Sequence, residues 1–118
     1  MAATIERFDS NGRLSRIVKH GNVIYLSGII GTDGGADIRG QTANALKQVD
    51  EHLAKCGVDK THVLSVQVWL RDVSRDLEGM NEVWCSWVVP GHEPARASGE
   101  SRLFNPAALI EVLVVAAA

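Results

Sequence analysis

The chain has 118 residues, of which 46% are hydrophobic, 22% charged and 5% aromatic, and its 12 Lys and Arg against 14 Asp and Glu leave a formal charge of −2. That composition describes one globular domain, residues 1–118, able to bury roughly two thirds of its unfolded surface without metal or disulfide staples. The absence of any Lys/Arg run argues against nucleic acid or a membrane surface as its partner, and Leu109 to Ala118, the most apolar stretch, is interrupted by Glu111 and falls short of the ~20 residues a span needs.

Taken in chain order, Ile5 to Phe8 is a short strand leading into the turn-forming Asp9-Ser10-Asn11-Gly12. Arg16 to His20 and Val23 to Gly28 are β-rich runs around Gly21-Asn22, a dipeptide suited to a two-residue hairpin. Glycines 31, 34, 35 and 40 mark a loop, and a helix follows Asp37, its apolar face made by Ala45, Leu46, Val49, Leu53 and Cys56 and its stop by Gly57. From Val63 to Arg71 the chain alternates, with Leu64, Val66, Val68 and Leu70 on the inward face. A second helix has Ser74 as its N-cap and Leu77, Met80, Val83, Trp84, Trp87 and Val88 as its stripe, and Pro90-Gly91 ends it. Ala95 to Leu103 reads as a polar strand, Phe104-Asn105-Pro106 as a turn, and Leu109 to Ala118 as the last strand.

The order β-β-β-α-β-α-β-β predicts an α+β, two-layer fold with both helices on one face of a mixed sheet. In the last strand both faces are apolar apart from Glu111, so the uncovered sheet face calls for a second copy of the chain, a homo-oligomer. Half-exposed alanines near the carboxyl end would be the plainer explanation.

Glu111 carries the chemistry, because a carboxylate inside an apolar strand loses hydration and needs a positive group, donors or water to meet it. Arg96, in the preceding strand of a presumed hairpin, is the nearest candidate along the chain. A guanidinium fork grips a small carboxylate ligand, and a carboxylate beside it takes a proton from water. A plain cross-strand ion pair accounts for the same two residues equally well. Ser27-Gly28, at a strand end, is either a place of close ligand approach or a simple bulge. His92, in the loop before Arg96, reads as solvated. Cys85 and Cys56 read as inert thiols, Cys85 as core filling, and Asn44, Asp50 and Glu51 as a solvated helix face. No metal-ligand spacing occurs, and Gly31-Thr32-Asp33-Gly34-Gly35 lacks a phosphate-loop ending. With no secretory leader at Met1-Ala2-Ala3-Thr4, a reducing cytoplasm is the expected setting.

Four segments together carry a family resemblance: Ile24-Tyr25-Leu26-Ser27-Gly28, Gln41-Thr42-Ala43-Asn44-Ala45-Leu46, Pro94-Ala95-Arg96 and Ile110-Glu111-Val112. The chain resembles the RidA/YjgF family from about Arg13 to Ala117, and Met80-Asn81-Glu82-Val83-Trp84 with Gly91-His92-Glu93-Pro94 is closest to its YoaB-like branch. The resemblance implies a fold like that of the trimeric chorismate mutases, three sheets forming a barrel with clefts between subunits. It also implies hydrolysis of small 2-imino or enamino acids to 2-keto acids and ammonia, with no metal or cofactor. By motif, Arg96 binds the substrate carboxylate, Glu111 handles water, and Ser27 and Gly28 fall on the strand-end site.

Two positions depart from the pattern: Leu14 stands where active members carry a tyrosine, and Ser98 where they carry a cysteine two residues after the arginine. A non-catalytic trimeric module that binds small carboxylates and regulates or chaperones a partner is therefore the competing expectation. RNA cleavage, attached to some relatives, finds little support in a chain of charge −2.

Overall fold

A computed structural model describes residues 4–118, so the reading of Met1 to Ala3 as lacking a leader lies outside the described residues. The strands are β1 (Ile5–Ser10), β2 (Ser15–His20), β3 (Val23–Leu26), β4 (Ile29–Ile30), β5 (Val63–Leu70), β6 (Ala95–Glu100) and β7 (Ile110–Ala117). The helices are α1 (Ile38–Lys55) and α2 (Val73–Trp87), with single 3-10 turns at Thr32–Gly34 and Lys60–His62. They form one mixed seven-stranded sheet in the order β1-β2-β3-β7-β5-β6, with β4 also on β7 and both helices on one face. No helix among the described residues is long and apolar enough to cross a membrane.

Local chemistry explains where these elements begin and end. Gly21 supplies the positive φ of the β2–β3 turn, in which His20 pairs with Val23. The Asp37 side chain caps α1 by accepting from the Gly40 N–H at 2.9 Å, and Gly57 follows the helix at φ 75°. In α2 the cap is Asp72 rather than Ser74: its carboxylate accepts from the Arg75 N–H at 3.1 Å, while the Ser74 hydroxyl donates to that same carboxylate. An aspartate one residue before the helix satisfies a first-turn N–H, whereas Ser74 already lies within the helix.

The core fills the space between the helices and the sheet. Val66, Val68 and Leu70 of β5 and Ile110, Val112, Val114 and Ala116 of β7 point to it, against Leu46, Val49 and Leu53 of α1 and Met80 and Trp84 of α2. The other sheet face carries Tyr25, Trp69 and Leu113, 48%, 37% and 37% exposed. Burial of β7 is thus complete on one face only, not on both.

Several sequence expectations are corrected. A register shift between Val63 and Ser65 makes Leu64 an extra, exposed residue, and Val63 takes its place in the core. β6 stops at Glu100, three residues before Leu103, which adopts φ 61° and cannot extend a strand. The short strand β4, read as loop, adds a ninth element: five residues from Tyr25 to Ile29 face four from Val115 to Val112, so the chain bulges at Ser27-Gly28 and then rejoins β7. The largest correction is topological. β6 does not form a hairpin with β7; it lies parallel to β5, which separates the two. A strand–helix–strand unit closing on itself, β5-α2-β6, is the reason.

Candidate functional site

Arg96 and Glu111 stand apart within one chain. Arg96 is level with Val66 on β5 and Glu111 with Trp69, three residues along and two strands across, or roughly 14 Å between backbones. They also face opposite ways. Arg96 shares its side with Val66, beneath the helices, whereas Glu111 shares its side with Trp69 and Ile30 on the uncovered face. The cross-strand ion pair is therefore ruled out within the chain.

Each residue has its own surroundings. The half-buried Arg96 guanidinium lies 5.1 Å from the centre of the Trp84 ring, and its Nη1 reaches the Met80 Sδ at 3.7 Å. Among the described residues no carboxylate forms an ion pair with it. Ser98, two residues on, shares this side of the edge strand and is exposed. The result is a positive charge held by neutral groups, with donors left for an anion.

Glu111 belongs to a second cluster at the bulge. A side chain on Gly28 would run into the Glu111 carboxylate, so the absence of a Cβ there is what lets the acid lie against the backbone. The Ser27 N–H donates to the Arg16 carbonyl at 2.9 Å, and its hydroxyl is buried without a partner. Leu14 sits two residues before Arg16, 44% exposed, its N–H donated to the Asn11 side chain. Beside Gly28 opens a cavity of about 260 Å³, lined in part by Arg16, Ile30, Thr32, Gln48 and Phe104. Phe104 is 77% exposed.

The loop that carries Phe104 is tied down by two residues that sequence reasoning missed. Buried Gln41 donates to the Gly35 and Ala107 carbonyls and accepts from the Leu109 N–H, at 2.8 to 3.0 Å. Arg71 donates to the Ala108 and Asn105 carbonyls, both at 2.8 Å. A glutamine in the first turns of an otherwise apolar helix face was the signal available for the first.

Other expectations resolve more simply. Asp50, read as solvated, accepts the indole N–H of Trp87 at 3.1 Å. Asn44 accepts from Gln48, and Glu51 is exposed. Cys85 is exposed rather than core filling, because it lies on the outer side of α2; Cys56 is half-buried, and burial pushes its thiol above the usual range. His92 is exposed in the turn after α2. No group of three His, Cys, Asp or Glu among the described residues could hold a metal ion.

The sequence profile of a family described as endoribonuclease L-PSP matches residues 4–118. The chain belongs to the YjgF/RidA family. It is 40% identical over 114 residues to the RutC family protein YoaB of Escherichia coli K12, covering 97% of this chain and 98% of that protein. It is 31% identical to the 3-aminoacrylate deaminase RutC of Acinetobacter baylyi, over 83% of this chain and 81% of that one. Among solved structures, NMB1025 of Neisseria meningitidis, a YjgF family member, superposes with a TM-score of 0.93 at 40% identity, covering 97% of this chain and 94% of that one.

Proposed function

We propose that this YjgF/RidA member hydrolyses small 2-imino and enamino acids to 2-keto acids and ammonia, in a homotrimer whose sites lie between copies. The observation that carries the proposal is the Arg96 guanidinium, half-buried on an aromatic ring and a thioether and paired with no carboxylate among the described residues. A charge so placed is completed by a ligand's carboxylate. Since Glu111 faces the opposite side, one site needs Arg96 of one copy and Glu111 with Gly28 of another. The uncovered face with Tyr25, Trp69 and Leu113 supplies the apolar contact for that assembly.

In this reading the Arg96 fork fixes the substrate carboxylate, and Ser98 offers a hydroxyl beside it. Glu111 orients a water and accepts its proton as oxygen bonds to the iminium carbon. Glu111 then returns that proton to the carbinolamine nitrogen and takes the hydroxyl proton as the C–N bond breaks, releasing ammonia and the 2-keto acid. The steps use water and proton transfer alone, with no cofactor. Two free thiols suit a reducing, cytoplasmic setting.

Arg96→Ala is expected to abolish turnover of 2-iminopropionate generated in situ while circular dichroism stays unchanged. A wild type that adds nothing to the buffer rate contradicts the proposal. Leu14, exposed and without a phenol, favours a second reading, a binding module for small carboxylates. Stabilisation by 2-ketobutyrate without turnover, lost in Arg96→Ala, distinguishes it. A net charge of −2 lends little electrostatic support to the endoribonuclease label of the family.

A further inference from the structure

A half-buried arginine such as Arg96, paired with no carboxylate among the described residues, has two physical problems: an uncompensated charge and a long side chain free to wander. The structure answers both with α2. Met80 and Trp84, one helical turn apart at i and i+4, present a sulfur and a ring to the same guanidinium, at 3.7 Å and 5.1 Å. Neither partner is free to move. Met80 is fully buried, and the Trp84 ring packs against Trp87 with centroids 5.5 Å apart. Trp87 in turn donates its indole N–H to both Asp50 carboxylate oxygens, at 3.1 and 3.2 Å, so the stack is braced from α1.

We propose that Trp84 and Met80 are positioning residues that hold Arg96 in its ligand-binding rotamer without neutralising it, with Trp87 and Asp50 as their brace. This rests on the reading of Arg96 as the carboxylate anchor. A carboxylate partner would fix the arginine equally well but would compete with the substrate. A ring face and a thioether fix it while the sulfur takes only one Nη1–H, leaving the remaining N–H donors for a carboxylate. The advantage is pre-organisation: the side-chain entropy lost on binding is already spent in the free protein. Because that holds for ground state and transition state alike, the two residues act on affinity more than on turnover.

The experiment measures 2-ketobutyrate binding by calorimetry and 2-iminopropionate turnover in wild type, Arg96→Ala, Trp84→Leu, Trp84→Phe and Met80→Leu. Trp84→Leu is expected to weaken binding about tenfold and to raise KM by a similar factor, with kcat within about twofold of wild type. Trp84→Phe, which restores a ring face, recovers most of the loss, and Met80→Leu, which keeps volume but removes the sulfur, gives a smaller loss of about threefold. Arg96→Ala is expected to alter the indole emission, since it removes a cation from the Trp84 ring. Should Trp84→Leu fail to fold, Trp84→Phe and Met80→Leu carry the test. If Arg96→Ala abolishes binding while these variants bind as wild type does, or lose kcat with KM unchanged, the positioning role is overturned and the carboxylate anchor stands. If Arg96→Ala itself binds as wild type does, the anchor reading falls, and the positioning role with it.

Discussion

The two faces of β7 are made from alternate residues of one strand and end in opposite states. Ile110, Val112, Val114 and Ala116 are at most 1% exposed beneath the helices, while Leu113, between them, is 37% exposed on the uncovered side. Arg96 belongs to the first side and Glu111 to the second. The covered layer is complete in a single chain. The open one is apolar without a cover, and the proposed chemistry is divided between the two, which is why the proposal calls for a functional unit larger than one chain.

The largest contrast is expected from truncating neighbouring residues of that strand. Ile110→Ala, fully buried, should destabilise the protein by about 2–5 kcal/mol at any concentration, whereas Leu113→Ala should leave subunit stability within about 1 kcal/mol and instead weaken self-association. Chemical denaturation at two protein concentrations, with sedimentation analysis, separates these effects. If both variants behave alike, the faces do not differ as described.

Gly28→Ala comes next. Its methyl group would occupy the place of the Glu111 carboxylate, the mobile end of a side chain, so the fold should survive while the acid swings away. A displacement of that order is expected to lower kcat about 100-fold with circular dichroism unchanged. Wild-type kcat would remove Glu111 from the reaction.

The smallest effect concerns His52 on α1, whose buried Nδ1 lacks a partner and whose pKa burial lowers below its usual value, with Lys55 and Arg16 nearby adding to the shift and Asp9 opposing it. A lowered folded-state pKa means that the unfolded chain binds more protons between the two values. Stability is therefore fully present above the unfolded value, about 6.5, and declines as pH falls from there through the folded one. His52→Gln should flatten the melting temperature across that acid window, while an unchanged slope would assign it to other groups.

Much of this architecture was legible in the sequence because its causes are local. Gly21-Asn22 fixed a hairpin, Asp37 and Gly57 bounded α1, and the alternation from Val66 to Leu70 marked a buried face. What escaped was non-local. Nothing between Glu100 and Ile110 reveals that β5 lies between β6 and β7, although two strands flanking α2 carried the signal for a parallel crossover. The bulges at Leu64 and at Ser27-Gly28 each shift a register by one residue, which the hydrophobic pattern does not report. The candidate residues were recognised by motif, but their placement on opposite faces came from the topology alone.

Joining Arg96→Ala and Glu111→Ala chains in one preparation tests the shared site most directly. Each variant alone should be inactive on 2-iminopropionate. Co-expressed and purified through two different tags, which leaves only mixed trimers, they should regain about a third of wild-type activity, because one interface of the three in each mixed ring pairs an intact Arg96 with an intact Glu111. Mixed assemblies that remain as inactive as either parent would mean that both residues must come from one chain, which the opposite faces of this sheet do not allow.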